Sequence, residues 1–128
     1  MRKGTRDIMT AFLQRTKCRR KNTETDGDTV YLFNNKIAWR EPDGSISMWM
    51  CGHGTRTTRD RLNGLCFLMM NKHPFHQVRG VQYYDEHEIS TDQIITVHTL
   101  ITYEDEHAPQ DNYVERMLAA HHTLGGKL

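Results

Sequence analysis

The spacing of hydrophobic residues near the start of the chain is that of a helix. Within residues 5–17 the apolar positions share one helical face: Ile8, Met9, Phe12 and Leu13. This spacing predicts a short amphipathic helix. The following residues 18–28 are polar and rich in turn-forming side chains, so they are predicted to form a loop.

Residues 29–50 change to the alternation of period two that is typical of strands. Three strands are predicted from this pattern, at residues 29–33, 36–40 and 45–50. Asn34 and Asn35 tolerate a positive φ, so they are predicted to form the two-residue turn of the first hairpin. Together the three segments are predicted to form an antiparallel meander with one buried face.

A helix is predicted to follow the meander, over residues 58–71. Gly52 and Gly54 permit a sharp exit from the third strand, and the hydroxyl of Thr57 or Thr58 is predicted to cap the helix. The apolar residues recur at i, i+3, i+4 and i+7, at Leu62, Leu65, Cys66 and Met69. This stripe is predicted to pack against the buried face of the meander.

Two further strands and a third helix are predicted in the C-terminal part. Residues 76–84 are predicted to form one strand with a bulge at Gly80, and the β-branched residues 93–102 another. The last helix is predicted to begin near Pro109 and to end at the glycines 125–126. The predicted order is α-β-β-β-α-β-β-α, an α+β fold with an antiparallel sheet of about five strands and three helices.

A chain of 128 residues has the length of one domain. We therefore expect a single domain over residues 1–128. Its three parts are a basic helix and loop at 1–28, the meander and helix at 29–71, and strands with an acidic helix at 76–126.

Composition excludes some classes of protein. No apolar run approaches the roughly 20 residues of a membrane span, and the basic N-terminus lacks the apolar centre and cleavage site of a secretory signal. The three cysteines are an odd number, which indicates reduced thiols rather than a disulfide framework. We therefore expect a protein of the cytoplasm with no membrane partner.

The formal net charge of +1 conceals a strong polarity. Residues 1–21 carry eight Lys and Arg against one Asp, whereas residues 81–128 carry nine Asp and Glu against two Lys and Arg. Such asymmetry indicates nucleic acid, a charged partner protein, or a homodimer in which opposite ends pair. The alternative is that both ends are simply solvated.

Candidate anion-binding residues lie where the third predicted strand meets the helix. A helix N-terminus offers free N–H groups and a partial positive charge, and threonines and arginines complete a phosphate site there. The candidates are Arg56, Thr57, Thr58, Arg59 and Arg61. The alternative is that the threonines only cap the helix and that the arginines are solvated or ion-paired.

Alternation also places Tyr31, Phe33 and Trp49 on the second face of the predicted sheet. Exposed aromatic rings on a sheet stack on nucleic-acid bases. The alternative is that one of the predicted helices covers this face.

Two other groups of side chains have the chemistry of metal ligands or of a partner-binding surface. The first group could supply nitrogen and sulfur ligands for zinc, although the spacings match no standard zinc finger. Its members are Cys51, His53, Cys66, His73 and His76.

The second group consists of carboxylates that are predicted to contact a basic partner. Its members are Asp85, Glu86, Glu88, Glu104, Asp105 and Glu106. The carboxylates and neighbouring histidines are also candidates for Mg²⁺ or Mn²⁺, with a solvated loop as the alternative. We expect no cofactor and no resident metal.

Residues 22–65 resemble a family of small proteins of tailed bacteriophages. The resemblance lies in NTETDGDTVYLFNNKIAW and in CGHGTRTTRDRLNGL, where the family pattern G-x-x-T-x-T-T-x-x-R-L-N is matched. The matching residues are Gly52, Thr55, Thr57, Thr58, Arg61, Leu62 and Asn63. His53 stands where the family often has tryptophan. The resemblance implies a phage origin and implies no particular activity.

The predicted order α-β-β-β-α is similar to that of the double-stranded RNA-binding domain. In that domain a glycine-containing loop leads into a basic helix N-terminus that contacts phosphates across a groove. Here Arg56, Arg59 and Arg61 stand in place of that domain's lysines, with Asp60 between them.

We interpret the chain as a non-enzymatic accessory protein of a phage. It is predicted to bind a host complex that handles nucleic acid or acts in defence, in the manner of an anti-CRISPR inhibitor with an acidic surface, in the host cytoplasm. Direct binding of nucleic acid is the first alternative. A small metal-dependent hydrolase or nuclease is the second.

Overall fold

The structure, a computed structural model, describes residues 1–98 of the chain. The two helices of this part are α1 (Lys3–Leu13) and α2 (Arg56–Met70). Its nine strands are β1 (Cys18–Arg20), β2 (Thr23–Thr25), β3 (Thr29–Leu32), β4 (Asn35–Arg40), β5 (Ile46–Trp49), β6 (Phe75–Val78), β7 (Val81–Tyr84), β8 (His87–Ile89) and β9 (Ile94–Val97). They form two antiparallel sheets, of six strands in the order β1-β2-β3-β4-β5-β9 and of three in the order β6-β7-β8.

The prediction of one sheet of about five strands with three helices is therefore wrong. Residues 18–28 were predicted to be a loop, but they contain β1 and β2, whose inward-facing Thr23 and Thr25 are buried. The single strand predicted at 76–84 is instead a hairpin, because Arg79 and Gly80 turn the chain with φ of 50° and 82°. Short polar strands of this kind carry little hydrophobic alternation, which is why the pattern missed them.

The C-terminal predictions are described only in part. The strand predicted at 93–102 is present as β9, which pairs with β5 and ends at Val97. The helix predicted from Pro109 lies outside the described residues.

The predicted first helix is confirmed as α1, although it ends at Leu13 rather than at residue 17. Arg15 adopts a left-handed conformation with φ of 60°. Thr16 N–H then donates to Ala11 O at 2.8 Å, and Arg15 N–H donates to Phe12 O at 3.1 Å. These two hydrogen bonds form a Schellman motif, which stops the helix and turns the chain towards β1.

The three strands of the predicted meander are confirmed as β3, β4 and β5, but the first turn is displaced by one residue. Leu32 pairs with Asn35, so the turn residues are Phe33 and Asn34, with φ of 49° and 67°. Phe33 is consequently outside the sheet, and it does not share a sheet face with Tyr31 and Trp49.

The buried stripe predicted for the second helix is confirmed in α2. Its four residues are at most 1% exposed and belong to the same hydrophobic cluster as Ile46 and Met48. The helix packs against α1 as well as against β4 and β6. The crossing of α1 and α2 is close, because a Cβ atom at Gly64 would collide with the side chain of Thr5.

The order α-β-β-β-α, on which the likeness to the double-stranded RNA-binding domain was based, is not present. Five strands separate α1 from α2. The β1–β2 hairpin supplies the two strands that the prediction lacked between the two helices, and it places the basic residues 19–21 beside α1.

Candidate functional site

The first turns of α2 hold the candidate phosphate-binding residues. Thr55 precedes the helix in an extended conformation, and its hydroxyl accepts a hydrogen bond from Thr58 N–H at 3.2 Å. The capping residue is therefore Thr55 rather than Thr57 or Thr58. Thr58 is buried, and its hydroxyl lies 3.0 Å from that of Thr55. Thr57 is half-buried and lines a cavity in front of the helix.

Arg61 lies in the contact between the two helices and the β1–β2 hairpin, where it is 8% exposed. Its Nε donates to Thr23 Oγ1 at 3.0 Å. Its Nη1 donates to Thr5 Oγ1 at 3.0 Å and to Asp60 Oδ2 at 2.6 Å, and Nη2 lies 3.4 Å from Asn22 Oδ1. A buried guanidinium with these partners joins α1, α2 and the hairpin, so Arg61 has a structural role.

Arg59 contacts a different part of the molecule. Its Nη1 lies 2.8 Å from Gly54 O, 3.0 Å from Gln77 Oε1 and 3.1 Å from Gln82 Oε1. It thereby links α2 to the three-stranded sheet. Arg56 is exposed and makes no side-chain hydrogen bond or ion pair with any residue in 1–98. The three arginines therefore do not converge on one point, and their binding of phosphate remains a prediction.

Cations from the N-terminal segment come together with Arg61 around an open pocket of about 380 Å³, which we call the basic pocket. Its walls are the start of α1 and the β1–β2 hairpin. The cationic residues that line it are Arg2, Lys3, Arg20, Lys21 and Arg61. The first turn of α1 has no capping side chain, so its N–H groups are available to an acceptor here.

Asp7 is the carboxylate in the lining of the basic pocket. Its Oδ2 lies 3.3 Å from Lys3 Nζ and 3.2 Å from Arg20 Nε. The hydrogen bond from Lys3, followed by that from Arg20, lowers the pKa of Asp7, and desolvation only partly opposes this effect. The five cations of the pocket are therefore balanced by only two carboxylates, Asp7 and the Asp60 that pairs with Arg61. The net charge around the pocket is positive.

Two further open cavities continue from the basic pocket. The second, of about 340 Å³, lies at the tips of the β1–β2 and β3–β4 hairpins and shares Lys21 and Thr23 with the basic pocket. The third, of about 330 Å³, lies in front of α2 and shares Phe33 with the second. We call the three cavities together the groove.

Phe33 lies where the second and third cavities of the groove meet, and it is 64% exposed. Its left-handed backbone costs a residue with a Cβ atom about 1–2 kcal/mol. Asparagine and glycine are the residues that this type of turn favours. An exposed phenylalanine at this position gains too little burial to offset the strain, so neither turn chemistry nor core packing explains it.

The basic pocket was not predicted, although the charge of residues 1–21 was. The pocket exists because β1 and β2 fold back beside α1. One signal in the sequence was the alternation from Thr23 to Thr25 after the pair Lys21 and Asn22, which is the pattern of a short strand after a two-residue turn.

The described acidic candidates lie on the β7–β8 hairpin. Asp85 begins the turn with φ of 54° and forms an ion pair with Lys72 Nζ at 2.7 Å. Glu86 and Glu88 are exposed, and Glu88 belongs to β8, an edge strand of its sheet. Residues 104–106, with the remaining three carboxylates, lie outside the described residues.

The candidate zinc ligands lie in separate environments. Cys66 is fully buried with its Sγ 3.5 Å from Met48 Sδ, and burial raises the pKa of its thiol. His73 stacks on Phe67, and His76 Nε2 lies 2.6 Å from Asp85 O. Cys51 and His53 line the third cavity of the groove. In residues 1–98 no three histidine, cysteine or acidic side chains are grouped so that they could hold a metal.

Comparisons with known proteins place the chain in one family. Within residues 1–98, no helix is long and apolar enough to cross a membrane. Neither the curated proteins nor the solved structures gave a match. The family model described as Kyanoviridae Gp96 protein matches residues 1–104 of the 128. The match includes both helices, both sheets and the groove, and the chain therefore belongs to this family of phage proteins.

Proposed function

We propose that this phage protein acts in the host cytoplasm as a non-enzymatic accessory protein that binds nucleic acid directly. The observation that carries the proposal is the basic pocket, in which five cationic side chains from three elements surround one cavity. Arg2 and Lys21 are exposed and make no side-chain hydrogen bond or ion pair with the described residues. They are therefore available to phosphate oxygens.

The chemistry of the pocket fits a phosphate backbone. Arginine and lysine side chains neutralise phosphates and release condensed counterions, which supplies most of the affinity of sequence-independent binding. The uncapped N–H groups of α1 add neutral donors of the kind that contact phosphate at helix N-termini. Arg61 holds the pocket together through its contacts with Thr5 and Thr23.

The test is the salt dependence of binding to a short labelled oligonucleotide, measured by fluorescence anisotropy. The double variant Arg2→Ala/Lys21→Ala removes two exposed cations of the pocket. Each lost phosphate contact should lower the slope of log K against log salt by about 0.7 to 0.9. The matched control is Arg15→Asn/Arg79→Asn, which removes two exposed cations outside the groove, at left-handed positions that asparagine tolerates.

The proposal requires that the pocket variant lose more affinity and more salt dependence than the control variant. Equal losses in the two variants would mean that net charge alone attracts the oligonucleotide. Wild-type protein without any binding at low salt would contradict the proposal outright. Light scattering at the same salt concentrations would detect the alternative of a homodimer paired through opposite charges.

A second candidate function is the capture of a host defence complex by acidic residues. The observation that favours it is the exposure of Glu86 and Glu88 on the β7–β8 hairpin. Exposed charges of this kind mainly set the rate of association with a basic partner. Reversing the six carboxylates to lysine, that is Asp85, Glu86, Glu88, Glu104, Asp105 and Glu106, should slow the capture of such a partner from host lysate and weaken the salt dependence of capture. Unchanged capture would exclude an acidic contact.

A further inference from the structure

We infer that the groove binds a single strand of nucleic acid, with one unpaired base inserted beside Phe33. The inference rests on the proposed function and goes further, because it names the form of nucleic acid and the side chain that selects it. It depends on the continuity of the groove, on the conformation of Phe33, and on the chemistry of the third cavity.

The groove changes character along its length. Its first cavity has a surplus of cations. The second has two cations, Lys21 and Arg19, and one carboxylate, Glu24. Phe33 then borders the third cavity. A single strand presents phosphates along one side and bases along the other, so a row of cations leading to an aromatic ring fits its chemistry.

The conformation of Phe33 is the second argument. Its φ of 49° is strained for a bulky residue, and its ring is 64% exposed. Other side chains adopt the same left-handed conformation, at Arg15, Lys21, Cys51, Arg79 and Asp85. Phe33 differs from them in that its turn leaves a large aromatic ring exposed. The strained turn holds the ring at the mouth of the third cavity, where a flat partner can stack on it.

The third cavity has an apolar floor and a polar rim. The floor is made by Leu32, Ile37 and Met50, each at most 5% exposed. The rim has hydrogen-bonding side chains at Asn35, His53, Thr55 and Thr57. Its volume of about 330 Å³ is at the lower end of the range of small-ligand pockets, roughly 300–1,000 Å³.

This combination fits a nucleobase, which has two apolar faces and an edge of donors and acceptors. A base inside a duplex is stacked and paired, and it cannot enter such a cavity without being extruded. Aromatic stacking on unpaired bases is also tolerant of sequence. We therefore expect single-stranded oligonucleotides to bind more tightly than duplexes of the same sequence.

The experiment compares Phe33→Asn with wild type on a single-stranded oligonucleotide and on its duplex. Asparagine suits the turn, so the variant should fold with an unchanged or higher melting temperature. Loss of the ring should weaken single-strand binding about tenfold and leave the salt slope unchanged, because no phosphate contact is removed. Phe33→Tyr keeps a stacking ring and should bind as wild type.

Two controls separate the base contact from other effects. Val78→Asn removes another exposed apolar side chain, 49% exposed and outside the groove, and should bind as wild type. A photoreactive thymidine in the oligonucleotide should cross-link to the peptide that contains Phe33, as identified by mass spectrometry.

The outcomes distinguish the inference from the proposed function. A Phe33→Asn variant with wild-type affinity, or equal affinity for duplex and single strand, would overturn the inference. In that case the effect of Arg2→Ala/Lys21→Ala on the salt slope would still test backbone binding. If the wild-type protein binds no oligonucleotide at all, both the inference and the proposed function are wrong.

Discussion

The same short segments of chain form the contact between the two helices and also the groove beside it. Their side chains have different surroundings in the two places. In the contact, Thr5, Asp60 and Arg61 donate and accept hydrogen bonds among themselves. In the groove, the described structure offers Arg2 and Lys21 no side-chain partner. Folding accounts for the first set, because buried polar groups are satisfied there. No contact within residues 1–98 accounts for the second set, and the proposed contact with phosphates would.

Two hairpin turns of residues 1–98 have successive positive φ values, and they differ in the side chain at their first position. Arg79 turns the β6–β7 hairpin together with Gly80, and the second residue of each turn, Gly80 or Asn34, tolerates a left-handed backbone. Phe33 and Asn34 turn the β3–β4 hairpin with the same signs of φ, but with an exposed aromatic ring at the first position. Only the second turn borders the groove.

The largest expected effect is on the buried side of α2. Leu62 is fully buried in the common hydrophobic cluster. Leu62→Ala should lower the free energy of unfolding by about 2–5 kcal/mol, as truncations in a core do. Chemical denaturation measures it, with Val78→Ala as an exposed control. A change within about 0.5 kcal/mol would mean that the helix does not pack on the meander.

Removal of the buried guanidinium should have the next largest effect. Arg61→Ala leaves the hydroxyls of Thr5 and Thr23 without their donor and should cost about 2 kcal/mol. The value is below that of a fully buried ion pair, because the Asp60 side chain is 35% exposed and solvent screens it. Arg56→Ala is the matched control, and equal stability of the two variants would contradict the structural role of Arg61.

A gain in stability is expected in the groove. Phe33→Asn should raise the free energy of unfolding by about 0.5–1 kcal/mol, because asparagine tolerates the left-handed conformation. Arg79→Asn replaces the first residue of the other turn and should give a similar gain without loss of oligonucleotide binding. A loss of stability in Phe33→Asn would mean that the ring serves the fold, and the contrast between the two regions would disappear.

The smallest expected effect concerns the charge of the basic pocket. Lys3 is the first cause of the lowered pKa of Asp7, so Lys3→Ala should raise that pKa towards its ordinary value. The ion pairs stabilise the fold above the ordinary pKa of an aspartate, and this contribution is lost as the pH falls through the lowered pKa. Because Lys3 is 88% exposed, the change should be seen by NMR titration and not in the unfolding curve. An unchanged Asp7 titration would contradict this pairing.

Local pattern was sufficient for α1, for α2 and for the three strands of the meander. The periods of 3.6 and 2 are properties of the backbone itself, so Leu62, Leu65 and Met69 indicated a buried face without knowledge of what covers it. The same reasoning failed at β1 and β2, because Thr23 and Thr25 are buried although their side chains are polar. Nothing local shows that a threonine hydroxyl will meet an arginine from a helix 38 residues away.

The candidate site was predicted in its chemistry and not in its geometry. The basic segment, the arginines of α2 and the aromatic side chains of the meander could each be identified in the sequence. The grouping of these side chains could not be identified, because it depends on which residues the β1–β2 hairpin and the crossing of α1 and α2 bring together. Arg61 was assigned to phosphate, but its nearest partners are Thr5, Thr23 and Asp60. Phe33 was assigned to the sheet, but a turn displaced by one residue moved it into the groove.

The sequence by itself determined which faces of α1, α2 and the meander are apolar and where positive charge collects. Each of these is a property of neighbours along the chain. Only the tertiary structure decided that β9 pairs with β5, that Arg61 is buried, and that the charge of residues 2–21 lines a pocket continuous with Phe33. These depend on contacts between distant segments, which form where the burial of apolar surface outweighs the entropy of closing the intervening loops.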